Sequence, residues 1–98
     1  MSNKIVVVFA RKYKDYHSVK VYYDGSLVNK DIGEATEVIY GYGNQWEYSA
    51  LELLYRHGIY REFKNRPQVL RRVVEEQNND TLIKDCVEVT SKKALKFM

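Results

Sequence analysis

The chain has 98 residues, 45% of them hydrophobic and 30% charged, with one proline, one cysteine and a net charge of +3. That length fits one domain, residues 1–98, and leaves no room for two; the composition is globular, not disordered. The longest apolar run, Ile5 to Ala10, is far short of the ~20 residues that cross a bilayer and carries no signal-peptide cleavage pattern. A cytoplasmic protein without a membrane partner is therefore expected, in the host cytosol if a phage encodes it.

Lys4–Tyr13 reads as a strand whose β-branched run is nearly continuous, predicting burial on both faces and a central position. His17–Tyr23 alternates, with Val19, Val21 and Tyr23 on one face and Ser18, Lys20 and Tyr22 on the other. Asp24-Gly25 follows as a two-residue hairpin turn, which sets Val21 opposite Val28 and Tyr22 opposite Leu27. A further strand is predicted over 35–42.

Asn44 opens a helix, and Glu47 three residues on completes a capping box. Trp46, Ala50, Leu53, Leu54 and His57 form its apolar face, and Gly58 ends it. Ile59, Tyr60 and Phe63 are expected to anchor the connector that follows. Pro67 suits the first turn of a second helix, with Val69, Leu70, Val73 and Val74 facing inward and Arg71/Glu75 and Arg72/Glu76 paired outward. Leu82–Thr90 reads as the last strand, at an edge or beside the first. Residues 91–98 read as a short terminal helix or a mobile tail. The expected fold is α+β: an antiparallel sheet of four to five strands in the order β-β-β-β-α-α-β, with two helices packed on one face and the other partly open.

No motif spells out a reaction. Cys-x-x-Cys, His-x-x-x-His and His-Glu-x-x-His are absent, so no metal is expected. Gly41-Tyr42-Gly43 lacks the third glycine of a dinucleotide turn, and no P-loop occurs, so no cofactor is expected. Cys86 has no cysteine to pair with, and the neighbouring Asp85 and Glu88 disfavour its thiolate, so a packed strand residue is expected. Glu75 and Glu76 read as a salt-bridged face.

What stands out is nine tyrosines, with Tyr13, Tyr55 and Tyr60 directly beside lysine or arginine, and the run Arg11-Lys12-Tyr13-Lys14-Asp15-Tyr16-His17. Amphipathic rings and cations suit macromolecular recognition. The candidate partner-binding residues are Arg11, Lys12, Tyr13, Lys14, Tyr16, Lys20, Tyr22, Tyr42 and Tyr48. They suggest a non-catalytic inhibitor or adaptor, of the kind phages and mobile elements encode, that occludes a larger protein or nucleoprotein. The alternative is RNA or single-stranded DNA binding, with Arg11, Lys12, Lys14, Lys92, Lys93 and Lys96 on phosphates. A third class, a small hydrolase or ribonuclease, would rest on His17. An exposed strand edge also permits a homodimer. The segment Ser91-Lys92-Lys93-Ala94-Leu95-Lys96 resembles the lysine motif that opens the last helix of double-stranded-RNA-binding domains, which implies phosphate contacts by those lysines. The resemblance covers those six residues and not that family's N-terminal helix with its glutamate.

Overall fold

The computed structural model describes residues 3–29, 38–41, 43–62 and 69–95. Strands β1 (Ile5–Tyr13) and β2 (Tyr16–Tyr23) form an antiparallel hairpin. Only Lys14 and Asp15 lie between them, so the expected loop from Arg11 to His17 is instead a tight turn between strand ends. Lys14 adopts a positive φ of 51° there. The second hairpin follows expectation: Asp24 and Gly25 both take positive φ, and Tyr22 lies opposite Leu27 on β3 (Ser26–Leu27). Val28 then donates its amide to the Val21 carbonyl at 2.8 Å.

β3 is short because a side chain takes over from its backbone. Asn29 is fully buried; its Oδ1 accepts from the Val21 amide at 3.0 Å and its Nδ2 donates to the Val19 carbonyl at 2.9 Å. Farther along β2, β4 (Ile39–Tyr40) pairs with Tyr16 and His17. Half of the strand predicted over 35–42 (35–37 and 42) lies outside the described residues, as do Phe63 and Pro67.

β5 (Thr81–Glu88) runs beside β1 from Ile5↔Thr81 to Lys12↔Glu88, and the pairing is parallel. The sheet is therefore mixed, in the order β3-β2-β1-β5 with β4 also on β2, and not antiparallel throughout. The physical reason lies at Asp80. Its buried carboxylate accepts from the Lys4 amide at 2.8 Å and from the Tyr60 hydroxyl at 2.6 Å. This fixes the start of β5 beside the start of β1, so both strands run the same way.

One main helix, α1 (Gln45–Arg56), packs on the sheet and buries Trp46, Ala50, Leu51, Leu53 and Leu54. His57, expected on that face, is exposed. The expected capping box does not form: Asn44 makes no side-chain cap, and the Glu47 carboxylate pairs with Lys84 of β5 at 2.8 Å. A cross-sheet ammonium is a stronger partner for a carboxylate than a backbone amide. The helix end matches its sequence signal: Gly58, at φ 72°, donates to the Tyr55 carbonyl, and Ile59 donates to that of Leu54.

Where the second helix is expected, Leu70 and Arg71 are α-helical and a π-helical segment follows over Arg72–Gln77. Asn78 Nδ2 caps it by donating to the Val73 carbonyl at 2.7 Å. Its Val73 and Val74 join Leu70, α1 and the inward residues of β1 and β2 in one core. Arg71/Glu75 and Arg72/Glu76 form the expected outward pairs at 3.7 and 3.6 Å. No helix among the described residues is long and apolar enough to cross a membrane.

Among the described residues, α1 and the π-helical segment both pack on one face of the sheet. Alternation along β1 makes the consequence visible: Val6 and Val8 are fully buried, whereas Ile5 and Phe9 between them are 48% and 42% exposed. The prediction that β1 is buried on both faces is thus corrected, although its central position holds.

Candidate interaction surface

Among the described residues, the face of the sheet opposite α1 is covered by no α-helix. β1 contributes Ile5, Val7, Phe9, Arg11 and Tyr13, and β2 contributes Tyr16, Ser18, Lys20 and Tyr22 in the paired register. β5 adds Thr81, Ile83, Asp85 and Val87. Ile83 and Val87 are 51% and 53% exposed, so with Ile5 and Phe9 they put four half-exposed apolar side chains on this face, interleaved with Asp85 opposite Phe9 and Arg11 opposite Val87. Phe9 meets Tyr22 edge to face at 6.2 Å between centroids, and Lys20 lies 5.6 Å from the Tyr22 ring. Scattered apolar residues are normal on a surface, but a contiguous group is characteristic of binding surfaces.

One end of this face is covered. The segment expected as a terminal helix or tail forms a 3-10 turn over Lys92–Leu95, and Leu95 is fully buried. The Ser18 hydroxyl donates to the Leu95 carbonyl, and Arg11 donates to that of Ala94 at 3.1 Å. Between this turn and the strands runs a groove of about 460 Å³ lined by Phe9, Arg11, Asp85, Val87, Val89 and Ala94.

The predicted partner-binding residues do not share one surface. Arg11, Tyr13, Tyr16, Lys20 and Tyr22 lie on the helix-free face, Lys14 in the turn. Lys12 points to the helix side, and Tyr48 stands 60% exposed on α1. Tyr42 and Lys96 fall outside the described residues. Several of the rings already have intramolecular neighbours. Tyr16 packs edge to face on Tyr40 at 5.6 Å, and the Lys92 ammonium sits 4.0 Å above the Tyr16 ring. Lys14 lies 5.3 Å from the Tyr13 ring. Lys92 therefore joins the Tyr13–Tyr16 turn at one corner, although some eighty residues separate them in sequence. Lys93 is also exposed.

His17 is only 2% exposed and points to the helix side. Its Nδ1 lies 2.9 Å from the Gly41 carbonyl and its Nε2 2.7 Å from Ser49 Oγ. A carbonyl can only accept, so Nδ1 carries the proton and Nε2 accepts from the serine hydroxyl. With both nitrogens occupied, the ring ties β2, the segment before α1, and α1 itself together. Gly41 allows this approach: a Cβ there would lie 2.9 Å from His17 Cε1 and 2.5 Å from Gln45 Oε1. Burial chiefly, with smaller electrostatic contributions, pushes the Cys86 thiol pKa up, so the thiolate is disfavoured. Among the described residues no group of three or more His, Cys, Asp or Glu is placed to hold a metal ion.

The residues that sequence reasoning missed are the apolar ones. Ile5 and Phe9 belong to a run read as buried on both faces, and nothing in the pattern of β5 marks Ile83 and Val87 as a surface, because a strand does not say which face a helix will cover. Comparison of the chain with protein-family models, with curated proteins and with solved structures finds no match.

Proposed function

We propose that the protein is a non-catalytic binder that docks on a larger protein or nucleoprotein through the helix-free face of its sheet. The exposure of Ile5, Phe9, Ile83 and Val87 on this one face supports this reading, since it forgoes stabilisation that burial would supply. Lys20 and Arg11 supply a cationic rim suited to an acidic partner surface. The mode of action is occlusion, as expected of a small inhibitor or adaptor. The test compares affinity capture from host extract by the wild-type chain and by Phe9→Glu. A partner held by the wild type and lost by a variant of equal thermal stability supports docking through this face. An identical captured set for both removes it.

A second reading, binding of RNA or single-stranded DNA, is favoured by the corner where Lys92 and Lys14 flank the Tyr16 and Tyr13 rings. Cations there would meet phosphates while a ring stacks on a base. Such binding weakens steeply with salt. Retention of mixed RNA at low salt but not at high salt would favour it, and no retention at low salt would end it.

A further inference from the structure

The outer side of β5 is a strand edge, and the pattern of its backbone defines which groups are open. Thr81 and Val89 donate their amides to Lys4 and Lys12 of the β1 side. In a strand, alternate residues turn their amide and carbonyl to the same side, so Leu82, Lys84, Cys86 and Glu88 present theirs outward. The Leu82 amide already meets the Glu75 carboxylate at 3.4 Å. The free stretch therefore runs from Lys84 to Glu88, with Cys86 at its centre, and β5 pairs with no strand other than β1 among the described residues.

The geometry points to a second copy of this chain as the occupant of that edge, paired antiparallel to β5 about a two-fold axis through Cys86. An axis of this kind stands perpendicular to the sheet and brings each residue opposite one of the same facing. Three features select the register. Centring on Cys86 matches the open stretch with itself. It also sets Lys84 opposite Glu88 of the second copy, and Glu88 opposite its Lys84. Centring on Lys84 or on Asp85 would instead oppose like charges at the axis, which is destabilising. Glu88 has no ion pair within the chain among the described residues, so its carboxylate is available; Lys84 can keep Glu47 and reach Glu88 with its other protons. Finally, the π-helical segment flanks the first residues of β5, at Leu82. In this register the second copy's Leu82 lies beside Thr90, so the two π-helical segments stay apart. The dimer continues the sheet and leaves both apolar faces on one side, doubling the platform without covering it.

Sedimentation velocity over a concentration series tests this, with Glu88→Lys and the double variant Lys84→Glu/Glu88→Lys. The wild type is expected to dimerise. Glu88→Lys replaces both cross-strand pairs by like charges and should raise the dimer dissociation constant about tenfold or more, and the double variant should regain most of the loss. Copper-phenanthroline oxidation at alkaline pH should link the wild-type dimer through its single cysteine, because directly opposed strand residues about 5.5 Å apart at Cα fall within disulfide range. A wild-type chain that stays monomeric at every concentration overturns the inference. So does a dimer that Glu88→Lys leaves unchanged. Loss of macromolecular capture by Phe9→Glu reports on the sheet face instead, so the two failures are separable.

Discussion

The two faces of the sheet are built from neighbouring residues of the same strands, yet they live under different rules. On the covered face Val6, Val8 and Val21 are fully enclosed by α1 and the π-helical segment. Polar groups on that side are tied down: His17 to Gly41 and Ser49, and Tyr60 and Lys4 to Asp80. On the other face Phe9 and Ile83, equally apolar, stay half in water. Stability is concentrated on one side and surface free for contact on the other. A substitution should therefore change either folding or binding according to the parity of its position in the strand.

The largest contrast should come from deletions of apolar bulk. Leu54→Ala removes a fully buried side chain and should cost about 2–5 kcal/mol in urea denaturation. Phe9→Ala should cost well under half as much, because its ring is already partly hydrated. Equal losses would mean that the two faces are not different after all.

Next in size is the Asp80 joint. Asp80→Ala leaves the Tyr60 hydroxyl and the Lys4 amide without their acceptor and should cost about 1–3 kcal/mol by the same measurement. His17→Ala is expected to fall in the same range, since it leaves the buried Gly41 carbonyl without its side-chain donor. A hydrolytic activity abolished by His17→Ala in a chain that unfolds at the wild-type midpoint would contradict the structural role given to this ring.

The Asp80 joint also carries a pH signature. Burial first, then the hydrogen bond to Asp80 and its charge, hold the Tyr60 phenol pKa well above its usual value of 10.0. A phenol is charged when deprotonated, so a raised folded-state pKa means that the unfolded chain releases the proton first. The contribution is fully present below about pH 10 and is lost as pH rises beyond it. Denaturation midpoints should fall above pH 10, and Tyr60→Phe should flatten that fall. An identical slope in the variant would assign the alkaline loss to other groups.

The smallest effect is expected on the solvated flank. Arg71 and Glu75 pair at 3.7 Å while largely exposed. Replacing Glu75 by Gln should change stability by no more than ~0.5 kcal/mol, and less at high salt. A larger loss would implicate the contact of Glu75 with the Leu82 amide, which belongs to the β5 edge and not to the surface pair.

Much of the local structure was legible in the chain because it is written in short-range chemistry. Asp24-Gly25 specifies its turn through positive φ, and the hairpin register follows from turn length. Gly58 ends α1 for the same conformational reason. Trp46, Ala50, Leu53 and Leu54 repeat at helical spacing and are buried. Long-range competition explains the departures. Glu47 leaves its own helix cap for Lys84, thirty-seven residues away. Arg11, a candidate for an outside partner, donates to Ala94 within the chain. Tyr16 and Lys92 satisfy one another first. Each of these residues has the chemistry assigned to it from sequence, but tertiary packing supplies a nearer partner.

From the amino-acid order alone came the positions of β1, β2, β5 and α1, the hairpin register, most of the inward face of α1 and the central place of β1. Each depends on torsional preference or on periodicity within a few residues. Only the assembled structure decided that β5 runs parallel to β1, that among the described residues part of one face of the sheet stays open, and that Lys92 meets Tyr16. Those outcomes depend on where a crossover returns and on which side the helices settle, and both are set by contacts between segments far apart in the chain.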